Sequence, residues 1–541
     1  MIEVRSRSPS ACLRVVTLGA ATGLISTLAS SAAAQDIEVT AQMAGRTLPP
    51  AYYELVRQRP DFFEISRGWI ARANRAAEAG AAVGDTLPLV VIQALFADSP
   101  EPTFSSQDVQ RVLFDGPSDD GTVSDFYSEA SGGRFGIRGQ ALPWVRTSVT
   151  LAAAVGSSYG LGSDAETGVY LVQALGAVDS AIDFGQFDND GPDGVPNSGD
   201  DDGNVDAVAF QFLEVSASCG GPGIWPHRSR ISNRTDTPYV TDDLRPSGAP
   251  ILVDDYIVQS TVRCDGVRIQ SAGTIAHELG HVLGLPDLYD AADGILPERR
   301  RWVIGCWSLM AAGSWGCGTA NRTEWRRPTH LGPWEKIRLG WLADEQVVDD
   351  VQGREFILEP IITSGRALRI PLSETEYFLV EYRKQMGFDL DLPSSGVLIY
   401  HIDDERPIRP CRECEKIYQV ALVEADGNDG LVRTFLQGGN RGEPGDAFGA
   451  LGPARFSNST TPSTRLNSGG NSAVTLYDIT VDDNVARVTL STTAIAFNRL
   501  VERFLQNGAD PLAPQEEEYL DSVGNRNGRY DVGDLRAYLK R

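Results

Sequence analysis

Apolar and polar positions give the chain two textures. Residues 87 to 98, LPLVVIQALFAD, form a nearly unbroken apolar run, the pattern of a strand buried on both faces. Leu171, Leu175, Val178 and Ile182 recur at helical spacing and predict a helix over 164 to 182, with Asp164 as its cap. In TIAHELGHVLGLPDLYD, 274 to 290, Ile275, Leu279, Val282 and Leu283 share one helical face, which predicts that this face packs on a core. Strand and helix signals thus alternate and predict a mixed α/β domain. From about 346 the texture changes to short β-rich runs, EFILEP, RALRIPL, EYFLVEYRK, GVLIYHID, YQVALVEAD, AVTLYDITV and VARVTLST, separated by turn residues. Repeated short strands of this kind predict a β-sandwich-like second domain. A small helical unit follows from 496, and no repeat runs at a solenoid or propeller period. The whole chain reads as α+β.

Length divides this pattern further, since 541 residues exceed one ordinary core and imply roughly two to four domains. Arg5, Arg7 and Arg14 precede an apolar small-residue run and Ala32-Ala33-Ala34 ahead of Gln35, the pattern of a secretory signal peptide cleaved after Ala34. A membrane anchor is the weaker reading, because the run is short and broken by Gly, Thr and Ser. The expected divisions are 1–34 signal peptide, 35–85 leader or propeptide, 86–345 the α/β domain, 346–495 the sandwich-like domain and 496–541 the helical unit. A secreted chain with no stable membrane insertion is expected. The net charge of -25 argues against a nucleic-acid partner, because phosphates would be repelled over most of the surface, while acidic side chains suit calcium. Loss of Cys12 with the signal leaves Cys219, Cys264, Cys306, Cys317, Cys411 and Cys414, an even set that favours disulfides in an exported chain. Of the fifteen possible pairings, Cys219–Cys264, Cys306–Cys317 and Cys411–Cys414 are taken as the expectation.

Two of the five histidines, His277 and His281, stand four apart on the predicted helix, one turn above the other, so both imidazoles reach a single ion. Gly284 tolerates a sharp turn and Pro286 disfavours a further helical residue, so the chain leaves the helix near 284 and folds back. Asp287 is then placed as a third ligand, leaving one position for water, as catalytic zinc requires. Asp290 and Tyr289 are the alternatives near the ion. Glu278, beside the ion, is the natural general base for that water. A satisfied core pair of histidines is the bland alternative, and His-Glu-x-x-His arises by chance in a chain of this composition with a probability of roughly 0.3 %.

HELGHVLGLPDLYD, followed by CWSLMAAGSW at 306 to 315, resembles the immune inhibitor A family of secreted zinc metallopeptidases, a metzincin-like group. SDFYSEASGGRFGIRG at 124–139, IWPHR at 224–228, PTHLGPWEKIRLGWL at 328–342, GVLIYHIDD and VALVEADG extend the resemblance over most of 87–491. The resemblance implies a metzincin-like zinc peptidase fold, His277, His281 and Asp287 as zinc ligands, Glu278 as base and Met310 as the Met-turn residue beneath the ion.

FDNDGPDGVPNSGDDDGNVD, 187 to 206, gathers Asp188, Asp190, Asp193, Asp200, Asp202 and Asp206 among glycines, a density that repels itself unless solvated or neutralised by a hard cation such as calcium. His227, His330 and His401 are isolated and read as structural, with His227 the one that could border the cleft. LDSVGNRNGRYDVGDLRAYL, 520 to 539, resembles a calcium loop of the dockerin or EF-hand kind through Asn525, Asn527, Asp531 and Asp534. Loop position one falls on Val523, which has no side-chain oxygen, so Asp521 would have to serve through a longer loop. A cohesin-like partner for this segment is one expectation. The sequence thus points to a secreted zinc endopeptidase acting on proteins or peptides. A calcium-stabilised adhesion or matrix-binding protein with an inactive zinc site is the competing reading, which the intact Glu278 disfavours. The leader contains no cysteine, so a thiolate on zinc cannot be its means of inhibition.

Overall fold

The computed structural model describes residues 48–59, 61–63, 85–290, 301–317, 327–342, 344–408, 417–449, 451–492, 495, 497–505, 512 and 514–539. The expected signal peptide and the Cys411–Cys414 pair lie outside these residues. Strand β1 (Asp85–Leu95) runs through the first unit, and its alternate residues face opposite ways. Leu87, Leu89 and Val91 enter one buried cluster and Val90, Ile92 and Ala94 another, which explains the unbroken apolar run. Strands β2 (Phe135–Ala141) and β3 (Val208–Phe212) flank β1 in parallel. Strand β5 (Asp255–Ser260) continues the sheet in parallel, and β4 (His227–Arg230) forms its edge, antiparallel to β5.

Helices α2 (Val123–Ser131) and α4 (Gly273–Val282) cover one face of this sheet, and α3 (Thr167–Val178) covers the other. Helix α2 starts with a capping box between Thr122 and Asp125. Helix α3 is shorter than its periodicity predicts. The Asp164 carboxylate accepts the Ser157 backbone N–H at 2.7 Å, so it caps the preceding turn, and Ile182 lies beyond the helix end. Helix α1 (Pro50–Gln58) belongs to the predicted leader, whose Tyr52, Phe62 and Phe63 pack with Leu161, Ala217 and Trp225.

All seven β-rich runs contain strands. A five-stranded sheet has the order β11 (Val420–Leu422), β10 (Gly396–Asp403), β9 (Glu376–Arg383), β8 (Arg366–Pro371), β6 (Asp344–Val347). A three-stranded sheet has the order β7 (Arg354–Leu358), β13 (Ala486–Ser491), β12 (Thr475–Val481). Side chains of both sheets, among them Phe356, Leu368, Val380, Ile399, Leu476 and Val488, share one buried cluster. Strand β9 is buried along its whole length because Phe378, Val380 and Tyr382 face that cluster while Tyr377 and Leu379 face the cluster of α4. The five-stranded sheet is therefore shared between two cores, and a polar seam holds them together. Arg383, fully buried on β9, donates to both oxygens of Asp389 at 2.7 and 2.6 Å and to the Trp307 carbonyl at 3.0 Å.

Cys219 is bonded to Cys264 and Cys306 to Cys317, as expected. Helices α6 (Phe497–Leu505), α7 (Pro514–Val523) and α8 (Val532–Tyr538) follow the sheets. Among the described residues no helix is long and apolar enough to cross a membrane.

Candidate metal centre

Helix α4 places His277 and His281 one turn apart, as their spacing requires. The helix ends at Val282, and Gly284, at φ +87°, turns the chain back; a Cβ there would be strained. The Leu285 N–H donates to the Gly280 carbonyl at 3.0 Å and the Leu288 N–H to the Met310 carbonyl at 2.8 Å, so the returning chain is pinned on both sides. Asp287 is thereby brought under the two imidazoles. His277 Nε2 and His281 Nε2 stand 3.2 Å apart, and Asp287 Oδ1 lies 3.3 and 3.4 Å from them. A tetrahedral ion with bonds of about 2.0–2.1 Å separates its ligands by roughly 3.3–3.4 Å, so this triangle fits zinc. Each imidazole is also oriented from behind. Nδ1 of His277 donates to the Leu309 carbonyl at 2.8 Å and Nδ1 of His281 to the Leu285 carbonyl at 2.8 Å, leaving both Nε2 lone pairs to face the shared point.

The two alternative third ligands are engaged elsewhere. Asp290 accepts the Tyr418 hydroxyl at 2.8 Å and pairs with Arg301 at 3.5 Å, and the Tyr289 ring packs on Trp302 with centroids 6.0 Å apart. Met310 is fully buried beneath α4. A Cβ on Gly280, between the two histidines, would lie 2.5 Å from Met310 Sδ, so the bare backbone at 280 is what admits the methionine. The Tyr127 hydroxyl donates to the Ala276 carbonyl at 2.5 Å from α2, and burial pushes its pKa well above the usual phenol value.

Glu278 has a partner that the sequence did not reveal. Arg228 Nη1 donates to Glu278 Oε2 at 2.6 Å, and both side chains are under a tenth exposed. IWPHR drew attention through His227, yet the strand alternates, and its next residue is the one that reaches the site. His227 is structural: Nδ1 meets the Trp225 carbonyl at 2.7 Å and Nε2 the Tyr256 hydroxyl at 3.0 Å, while burial and the Arg234 charge depress its pKa. His330 is wholly buried, and its ring Nδ1 lies 3.4 Å from the Leu331 carbonyl, while His401 pairs with Glu376 at 2.9 Å on the second sheet. Below the Met310 turn, Glu335 on α5 (Pro333–Arg338) accepts from the Ser308 hydroxyl and from the Gly332 N–H at 2.7 Å; burial pushes its pKa up to about 7.

The acidic loop sorts into two groups. Asp188 and Asp190 converge with Asp201, a residue outside the sequence-based set, with carboxylate oxygens within 4.8 Å of one another. Asp188 is 1 % exposed, and its Oδ1 has no hydrogen-bond partner. Burial, then the charges of Asp201, Asp202 and Asp190, push its pKa up to about 8. Asp193, Asp200 and Asp202 are exposed and accept loop N–H groups, from Val195 at 2.8 Å, Asp193 at 3.2 Å and Asn204 at 2.8 Å respectively, while Asp206 accepts the Asn189 N–H at 2.8 Å. In the C-terminal loop, Asn525 and Asn527 donate to Asp531 at 3.0 and 2.7 Å, Asp534 caps the loop through the Asn525 N–H at 2.8 Å, and Asp521 accepts the Gly528 N–H at 3.0 Å. These carboxylates are not among the convergent groups of the described residues.

Residues 103–342 match the family model described as the immune inhibitor A peptidase M6 catalytic domain. Over 258 residues the chain is 28% identical to a pre-pro-metalloprotease PrtV of Vibrio cholerae serotype O1, covering 43% of this chain and 26% of that protein. Over 238 residues it is 29% identical to an immune inhibitor A of Bacillus thuringiensis subsp. alesti, covering 40% of this chain and 31% of that protein. The matches thus span under a third of either relative's length. The matched segment contains the whole His277, His281, Asp287 triangle, Glu278 and the Met310 turn, so the candidate metal centre lies in the part of the chain that is similar to the immune inhibitor A peptidase M6 catalytic domain.

Proposed function

We propose that the chain is a secreted zinc-dependent endopeptidase, with His277, His281 and Asp287 holding the metal and Glu278 acting on the attacking water. The observation that carries this reading is the triangle of 3.2, 3.3 and 3.4 Å, matched to a tetrahedral ion, with a carboxylate one residue from the first ligand. When bound, zinc supplies Lewis acidity for the scissile carbonyl and lowers the pKa of water at its open position. Glu278 takes a proton from the attacking water and returns it to the leaving amine, two transfers by one carboxylate. Arg228 fixes Oε2 of that carboxylate, which orients the group before substrate arrives. The peptide substrate and export follow from the family and the N-terminal pattern. The adhesion reading is not favoured, since a lapsed site has no use for a retained, oriented base.

Three parts of the architecture belong to the same proposal. The two sheets around the shared cluster act as the sandwich-like domain. The Asp188, Asp190 and Asp201 group takes calcium, supported by all-oxygen donors and the orphan Oδ1 of buried Asp188. The C-terminal helical unit stabilises or docks, toward a cohesin-like partner if its loop binds calcium. The leader is a latency segment. Its Phe62 carbonyl accepts from Asn233 at 2.8 Å and from the Ser229 hydroxyl, and Asp61 pairs with Arg230 at 3.1 Å, on the same strand as Arg228. The test is hydrolysis of casein by the purified mature chain, its loss with a zinc chelator and its return on adding zinc. Full hydrolysis in the metal-stripped protein would remove the proposal.

A further inference from the structure

A second convergent set lies outside the metal centre and outside the acidic loop. Glu424, Asp426 and Asp446 each present a carboxylate oxygen within 4.8 Å of the others. Backbone pairing brings them together: the Ala425 N–H donates to the Asp446 carbonyl and the Asp426 N–H to the Gly445 carbonyl, each at 3.0 Å. The bare backbone at Gly445 lets the Asp426 carboxylate lie against it, where a Cβ would push that side chain aside. Glu424 is 5 % exposed and Asp446 fully buried, whereas Asp426 is exposed and gives an ion a route in.

Proximity of acids alone does not make a site, but Asp446 adds an independent feature. Its Oδ2 accepts from the Trp307 indole at 2.8 Å and the Glu443 N–H at 2.9 Å, while its buried Oδ1 has no hydrogen-bond partner. Both oxygens of Glu424 accept from the Leu431 N–H at 3.0 Å. The charges that act most on these groups are acidic: Asp446 and Asp429 on Glu424, and Asp426 and Glu443 on Asp446, adding to burial that pushes the two up to about 8 and about 6. A buried carboxylate with an orphan oxygen among like charges is what a hard cation with oxygen ligands would complete.

The surroundings give such an ion a task. Residues 424–446 form a strap across the segment that leads into the Met310 turn. The Trp302 and Val303 N–H groups donate to the Leu431 carbonyl at 2.9 and 3.0 Å, and the Cys306 N–H to the Arg441 carbonyl at 2.6 Å. Two residues beyond Trp307, the Leu309 carbonyl orients the His277 ring. We propose that Glu424, Asp426 and Asp446 bind a divalent cation of the calcium class, and that this ion fastens the strap to the 302–307 segment supporting the Met310 turn. Oxygen-only donors select calcium over zinc, whose sites draw on imidazole or thiolate.

Terbium(III), a calcium surrogate, tests this in the full mature chain, because Trp307 would sit next to the ion and sensitise its emission on tryptophan excitation. The wild type should give sensitised emission that calcium displaces. Glu424→Gln and Asp446→Asn should each lose that component, and Asp201→Asn, which removes the other cluster, should keep it. Melting gives a second reading that survives poor folding of one variant. Glu424→Gln keeps the acceptor for Leu431 and cannot ionise among the other acids, so in chelator it should melt at or above the wild type, and in calcium below it. Equal emission in the wild type, Glu424→Gln and Asp446→Asn, or the same calcium-induced rise in melting temperature in the wild type and Glu424→Gln, would overturn the proposal.

Discussion

Replacing Arg228 with methionine leaves the Glu278 carboxylate without its guanidinium. The two groups meet at 2.6 Å with side chains 5% and 9% exposed, so water screens the pair little. With charge centres about 4 Å apart and an effective dielectric near 20, the attraction is about 4 kcal/mol. Breaking a buried pair by removing one partner costs about 3–5 kcal/mol, since the survivor stays desolvated. For a cooperative unit this large, about 2 °C per kcal/mol is an upper scale, so a fall of roughly 5–10 °C is expected. Glu278→Gln in the Arg228→Met background should restore much of it, because a neutral amide needs no counter-charge. The assay is a double-mutant cycle on melting temperature at one scan rate in metal-free buffer, which isolates the pair from other losses. An Arg228→Met protein within about 1 °C of wild type, or two effects that add without coupling, would refute the assignment.

Gly280→Val forces a branched side chain onto Met310 Sδ, and overpacking of about 1–3 kcal/mol should lower both the melting temperature and zinc retention; unchanged values would show that the methionine is not seated as described. Glu335, with its folded pKa raised from 4.5 to about 7, binds its proton more tightly when folded, so its stabilising share is complete below about pH 4.5 and is lost as pH rises through about 7. The wild type should therefore lose about 3 kcal/mol more than Glu335→Gln between pH 4.5 and 7.5, and parallel melting curves across that range would contradict it. Active protein should begin well beyond Gln35 by N-terminal sequencing, and full casein activity in a chain starting at Gln35 would sink the latency role.

The metal centre was legible because its chemistry is local. Histidines four apart on a helix, a glycine that turns the chain and an acid just past it bring three donor groups together within eleven residues, whatever the rest of the chain does. The strand-rich half was legible for the same reason, since turn residues separate β-branched and aromatic runs. Arg228 was not, because its role depends on β4 lying at the sheet edge beside α4, a tertiary fact with no local signature. Asp164 misled because a capping residue competes between neighbouring turns, and Ser157 won. Density of acids also misled about the loop. Convergence and burial decide which carboxylates meet, and they selected Asp201 over its exposed neighbours Asp200 and Asp202.

The central claim, that one carboxylate does chemistry beside three residues that hold metal, is tested most directly by measuring bound zinc and casein hydrolysis in the same samples of Glu278→Ala and His281→Ala. Glu278→Ala should keep about one zinc per chain and lose hydrolysis by about 10²- to 10⁴-fold or more, because the base serves two proton transfers but does not hold the metal. His281→Ala should lose zinc itself, and activity with it. Wild-type hydrolysis by Glu278→Ala, or a full zinc complement in His281→Ala, would contradict the account.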